Sequence, residues 1–224
     1  NRADRKAVFD AFWGKWKEFE GTFGANLAAH VAGHVFNAKA RHYANSLDAA
    51  LFGDAMPETV YRTLVAQVNE NLPSLHRYFK LRKKMLGIDG DMEYYDIYPA
   101  LVQLDKKFPL AEGKATSLAA LQPLGEEYIG YLTEMFTKRW MHVYPQPGKA
   151  TGAYMMGAAY DVHPYLLMNY NDDYDSMSTL AHEAGHGVHT LLATKAQPFE
   201  KSDYSTFTAE TASIMNEMLL EDYM

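Results

Sequence analysis

Cysteine is absent from the 224 residues. Disulfide scaffolds, thiol nucleophiles and thiolate metal sites are thereby excluded. No Asn-x-Ser/Thr sequon occurs, and no secretory leader pattern opens the sequence. These absences fit a reducing compartment, so a cytoplasmic location is expected. Long hydrophobic runs are missing too. The longest, Gly152 to Tyr160, stops at Asp161, well short of the roughly 18 residues that cross a bilayer. No membrane partner is expected. Net positive charge is also lacking: 21 Lys and Arg stand against 28 Asp and Glu, a formal charge of -7. Such a surface repels phosphate backbones, and no nucleic-acid partner is expected. The one basic cluster, Arg77 to Lys84, reads as a solvated helix face.

What is present points to a helical protein. Apolar residues make up 48% and charged residues 22%, enough for a buried core in one or two domains. Ala3 to Tyr43 carries apolar residues at helical spacing, with Gly14, Gly21 and Gly24 as candidate breaks. Pro57-Glu58 opens a second helix, in which Val60, Leu64 and Val68 share a face. After Pro73 a further helix spans Leu75 to Leu86 and is capped by Gly87. Ala115 to Val143 predicts one or two helices, ending before Pro145. Ala153 to Tyr170 is the only convincing strand material, a hairpin or small sheet. Helix resumes from Asp172 to Ala193, and again from Ser205 to the last residue. The opening Asn1-Arg2 and a helical pattern still running at Met224 suggest a piece of something longer. The fold class expected is mainly α, with a small β-sheet. Two regions are expected: a helical region over 1–144, and a metal-binding catalytic region over 145–224.

Residues 182–186 read His-Glu-Ala-Gly-His. Two His four apart lie one above the other on a helix and can share one metal ion. Neutral imidazole suits Zn2+. Glu183 projects about 100° round the helix. There it can take a proton from a metal-bound water whose pKa falls to about 7. Chance would produce this motif about 0.02 times in such a chain, so a bland His pair is the weaker reading. A catalytic zinc usually takes a third protein ligand. His189 shares the face, but it rises about 10 Å above His182, so it reads as a supporting or packed residue. Glu200 lies in a polar, Pro-containing connection and is a weak choice. Glu210 and Glu217 are seven apart on the next helix and share a face. One can be the ligand while the other orients a His. The Asn216-Glu217 pair also resembles the third-ligand segment of thermolysin-like enzymes. Spacing leaves both carboxylates open.

Longer stretches carry a resemblance. Gly152-Ala-Tyr, Tyr160-Asp, Pro164-Tyr-Leu-Leu-Met-Asn-Tyr170, Thr179-Leu-Ala-His-Glu-Ala-Gly-His-Gly-Val-His189, Asp203-Tyr-Ser-Thr-Phe-Thr-Ala-Glu-Thr-Ala-Ser213 and Asn216-Glu217 resemble the oligoendopeptidase F family. That family is related to thimet oligopeptidase. Upstream, Ala38 to Tyr43, Leu75 to Gly87 and Lys138-Arg-Trp140 are similar as well. The resemblance implies a zincin-type helical metallopeptidase built around a channel that admits short peptides. It implies one Zn2+ per chain held by His182, His186 and Glu210, with Glu183 as general base and Glu217 behind the ligands. It places the strand Pro164 to Tyr170 beside the site, where an edge can pair with a substrate backbone. Tyr154, Tyr160, His163 and Tyr165 become candidates for lining a peptide subsite. Family members are longer, and a later helical portion supplies a His and Tyr residues that contact substrate. A complementary chain carrying that portion would complete the site.

The expected function is therefore zinc endopeptidase action on short peptides. The alternatives are a non-catalytic zinc-binding fragment or scaffold, and a different zincin class using Glu217. Asp89 to Glu93 reads as a turn rather than a calcium loop. Gly148-Lys149 lacks the first Gly and the Ser/Thr of a phosphate loop. The three Trp and 16 Tyr are expected mostly as core or interface anchors.

Overall fold

The computed structural model describes residues 1–102 and 105–224. It divides into two compact units, Asn1–Leu104 and Asp105–Met224. Packing thus divides the chain between 104 and 105, whereas the sequence suggested 144 and 145. The reason is that the helices after residue 110 bury their apolar faces against the motif helix.

The first unit contains α1 (Arg2–Lys17), α2 (Glu20–Ala40), α3 (Ser46–Phe52) and α4 (Glu58–Met85). The break between α1 and α2 falls at Glu18-Phe19, not at Gly14, Gly21 or Gly24, all of which lie inside helices. Helical glycine costs only about 1 kcal/mol relative to Ala, so a glycine need not end a helix. Pro57 caps α4 as expected, but α4 runs unbroken through Pro73. The separate helix expected after Pro73 is therefore a continuation, with one missing backbone bond tolerated inside 28 residues. Gly87 does end it: its φ of +62° lets the Ile88 N–H reach back to the Lys83 carbonyl at 3.2 Å.

The unit is tied together by Asp96, which is fully buried. Arg2 and Arg5 each reach its carboxylate at 2.9 Å, and Arg82 donates to its backbone carbonyl at 3.1 Å. Burial pushes the Asp96 carboxyl up, but Arg2, the Glu93 amide and Arg5 bring it down to about 2. Arg82 also donates to the Pro99 carbonyl. One member of the expected solvated basic face is thus a buried anchor. Aromatic side chains are less buried than expected: Trp13 and Trp16 are exposed, as are Val60, Leu64 and Val68 on α4.

The second unit is built on α5 (Leu110–Ala120), α6 (Glu126–Thr137), α7 (Tyr174–Ala196) and α8 (Thr206–Tyr223). Strands β1 (Met141–His142), β2 (Tyr154–Met156) and β3 (Tyr165–Leu167) form a three-stranded sheet in the order β1-β3-β2. β2 and β3 are the expected antiparallel pair, with Met155 opposite Leu166. β1 was not visible in the sequence; two residues are too few for an alternation signal. It pairs parallel with β3, Met141 opposite Leu166. Helix α7 is the hub. Met177, Leu180, Ala181, Ala184 and Val188 are buried among α5, α6, α8 and the sheet. Its N-terminus is capped by Asp173, whose side chain accepts the Ser176 N–H at 2.8 Å. Among the described residues, no helix is long and apolar enough to cross a membrane.

Candidate metal centre

The motif lies in the middle of α7. His182 and His186 stack one turn apart, ring centroids 4.9 Å apart, with their Nε2 atoms separated by 3.2 Å. Helix α8 crosses α7 closely and brings in the carboxylate. Glu210 Oε2 lies 3.3 Å from His182 Nε2 and 3.5 Å from His186 Nε2. These three are the one group of His, Cys, Asp or Glu among the described residues whose donor atoms converge for a shared ion.

The geometry fits a tetrahedral ion. Donors at about 2.0–2.1 Å from a common centre form a tetrahedron with edges of about 3.3 Å. The three edges here are 3.2, 3.3 and 3.5 Å. The protonation pattern agrees. Glu217 Oε1 sits 2.6 Å from His182 Nδ1. A carboxylate accepts, so Nδ1 carries a ring proton, which leaves Nε2 as the nitrogen that can ligate. His182 Nε2 and Glu210 Oε2 face each other at 3.3 Å, with room for a cation to take a lone pair from each.

Supporting bonds hold each member. Ser178 Oγ donates to Glu217 Oε2 at 3.0 Å, and Ser213 Oγ donates to Glu210 Oε2 at 2.7 Å. Burial pushes the His186 imidazole down, keeping it in the neutral form that ligates. Glu183 is 7% exposed and borders the same cleft of about 330 Å3 as His182, His186 and Glu210. Burial pushes its carboxyl up, against the pull of His182 and the Met155 amide. That direction suits a group that must hold a proton transiently.

The structure sorts the remaining candidates. Tyr154 borders the cleft. His189 does not reach it as a ligand: it stacks on Tyr204 at 3.9 Å, and its buried Nδ1 has no partner among the described residues. His163 stacks flat on Trp140 at 4.2 Å and meets Tyr165 at 4.5 Å. Tyr165 borders a different hollow with Trp140, Met141 and His142, and Tyr160 donates its hydroxyl to the Gln197 carbonyl at 2.6 Å. The strand beside the cleft is β2, not the one expected. β3 is central and has both edges paired, whereas β2 is an edge strand whose Tyr154 and Met155 border the cleft.

Three residues escaped the sequence. Gly185 is one: a Cβ there would lie 2.8 Å from Ser213 Cα and 3.0 Å from the Ala212 carbonyl. Its missing side chain lets α8 approach. Asn216, fully buried, donates to the Ala181 carbonyl at 2.9 Å and accepts from the Tyr128 hydroxyl at 2.8 Å. Tyr204 borders the cleft and bonds Thr190 at 2.6 Å. The Ala-Gly inside the motif and the Asn216-Glu217 pair were visible, but what they touch across α7 and α8 was not.

The chain is also similar to known proteins over its whole length. The chain is 41% identical over 225 residues to oligopeptidase PepF of Bacillus subtilis, covering 100% of this chain and 33% of that protein. It is 39% identical over 222 residues to the group B oligopeptidase PepB of Streptococcus agalactiae, covering 99% and 37%. The crystal structure of oligoendopeptidase-F from Enterococcus faecium superposes with a TM-score of 0.63 at 31% identity, covering 100% of this chain and 32% of that one. The chain therefore spans about a third of the length of the curated relatives it matches. The profile of peptidase family M3 matches residues 1–224, and over that whole span the chain belongs to peptidase family M3.

Proposed function

We propose that this chain carries the metal-binding and proton-transfer part of a zinc endopeptidase acting on short peptides. The observation that carries the reading is the convergence of His182, His186 and Glu210 beside the buried Glu183. His182, His186 and Glu210 would hold the ion, and Glu217 keeps His182 in the ligating tautomer. Zinc, when bound, supplies a Lewis acid that makes water a nucleophile at neutral pH and polarises a carbonyl. Glu183 Oε accepts the proton of the attacking water and returns it to the leaving amine nitrogen. The free edge of β2 offers backbone groups to an extended peptide, and Tyr154 on that strand borders the cleft. A channel and further substrate contacts would come from outside these residues, which span about a third of the relatives' length.

The test pairs metal analysis with turnover of a quenched short peptide, with and without chelator. One zinc per chain, chelator-sensitive cleavage, and loss of cleavage with zinc retained in Glu183→Gln are expected. Cleavage surviving in Glu183→Gln overturns the proton-transfer role. One zinc without cleavage in the unsubstituted chain favours the second reading, a metal-binding piece that needs the remaining portion.

A further inference from the structure

A second His pair repeats the motif's spacing outside the site. Residues 30–34 read His-Val-Ala-Gly-His, against His-Glu-Ala-Gly-His at 182–186. Only the residue after the first His differs: Val31 stands where the other segment has Glu183. The segment lies inside α2, far from either helix end. His30 and His34 bring their Nε2 atoms to 3.0 Å, with ring centroids at 4.4 Å and planes at 77°. The corresponding values on α7 are 3.2 Å, 4.9 Å and 82°. Both rings are exposed, and among the described residues each bonds only the other. Nothing crowds the turn between them, since a Cβ on Gly33 would meet open space.

We propose that α2 carries a second, independent site for a divalent transition cation, held by His30 and His34. Donors about 2.0–2.1 Å from one ion and 3.0 Å apart subtend an angle of about 94°. That is the cis angle of a square-planar or octahedral ion rather than the wider tetrahedral one. Imidazole pairs take Cu2+ most strongly, with Ni2+ and Zn2+ behind it. Water completes the coordination, because two exposed side chains leave most positions open. Val31 supplies no carboxylate at the position that Glu183 holds on α7. The site binds metal without the proton-transfer group that the α7 site has.

The experiment is titration of the chelator-stripped 224-residue chain with Cu2+, read by calorimetry and by the Cu2+ electron-paramagnetic spectrum. Two bound ions are expected, each with two nitrogen ligands, the α7 ion having the Glu210 oxygen as well. His30→Ala and His34→Ala should each lower the count to one ion, leaving the α7 ion with its two-nitrogen, one-oxygen spectrum. Because both residues are exposed, the circular dichroism should not change. In a second background, His182→Ala with Glu210→Ala should leave the two-nitrogen signal in place. A single bound ion in the unsubstituted chain overturns the proposal. So does a second ion that persists in His30→Ala, since it must then sit elsewhere.

Discussion

Replacing Gly185 by Ala tests how the site is assembled without touching a ligand. The new Cβ would lie 2.8 Å from Ser213 Cα, 3.0 Å from the Ala212 carbonyl and 3.0 Å from Asn216 Nδ2. Ordinary carbon contacts begin near 3.5 Å, so α8 must retreat by about 0.7 Å. Two of the three atoms are backbone and cannot rotate away. Glu210 rides on the same helix, and sound metal sites hold their ligand distances within about 0.2 Å. The retreat therefore exceeds what the ligand set tolerates. Overpacking costs about 1–3 kcal/mol, of which the better helix propensity of Ala returns at most about 1. Zinc affinity should fall by about 10–100-fold, the range seen when groups that support ligands are disturbed. The assay is competition against a chromogenic chelator, beside denaturant unfolding of the metal-free chain. Gly187→Ala is the control. There the Cβ would meet Met135 Cε at 2.5 Å and Sδ at 3.2 Å, the far end of a flexible side chain. That contact faces away from α8 and should leave zinc affinity within a few-fold. Unchanged zinc affinity in Gly185→Ala, or a larger loss in Gly187→Ala, refutes the reasoning.

Other outcomes follow from the same contacts. Asn216→Leu removes the acceptor of the Tyr128 hydroxyl and the second donor to the Ala181 carbonyl, and should cost about 1–3 kcal/mol in denaturant unfolding. Glu210→Ala should abolish tight zinc binding, whereas Glu217→Gln should keep it and weaken it by about 10–100-fold; the reverse order in a zinc competition assay would assign Glu217 as the ligand. The Asp96 carboxyl is held near 2, below its usual 3.8. Its ionised form is therefore favoured by folding, and the stability it contributes is present above pH 3.8 and lost as pH falls toward 2. An acid titration of Asp96→Asn should lack that part of the loss.

Periodicity, turn residues and a five-residue motif made much of this protein legible. The motif places two candidate ligands and a candidate base on one helix by spacing alone, because i and i+4 share a face whatever surrounds them. Asp173 and Gly87 mark helix ends through local chemistry, and both act as caps. Local signals failed where a distant partner decides. Pro73 did not break α4, Arg82 joined a buried carboxylate network instead of water, and β1 exists only because β3 offers it an edge. The choice between the two candidate third ligands is the clearest instance. Glu210 and Glu217 share a helix face at identical heptad phase, so no spacing argument separates them. The close crossing of α8 over Gly185 does: it aims Glu210 at both Nε2 atoms and Glu217 at the opposite nitrogen of His182. Local sequence determines which side chains a helix presents together. Which helix arrives in front of them, and at what height, depends on contacts between residues far apart in the chain, and only the tertiary structure decides it.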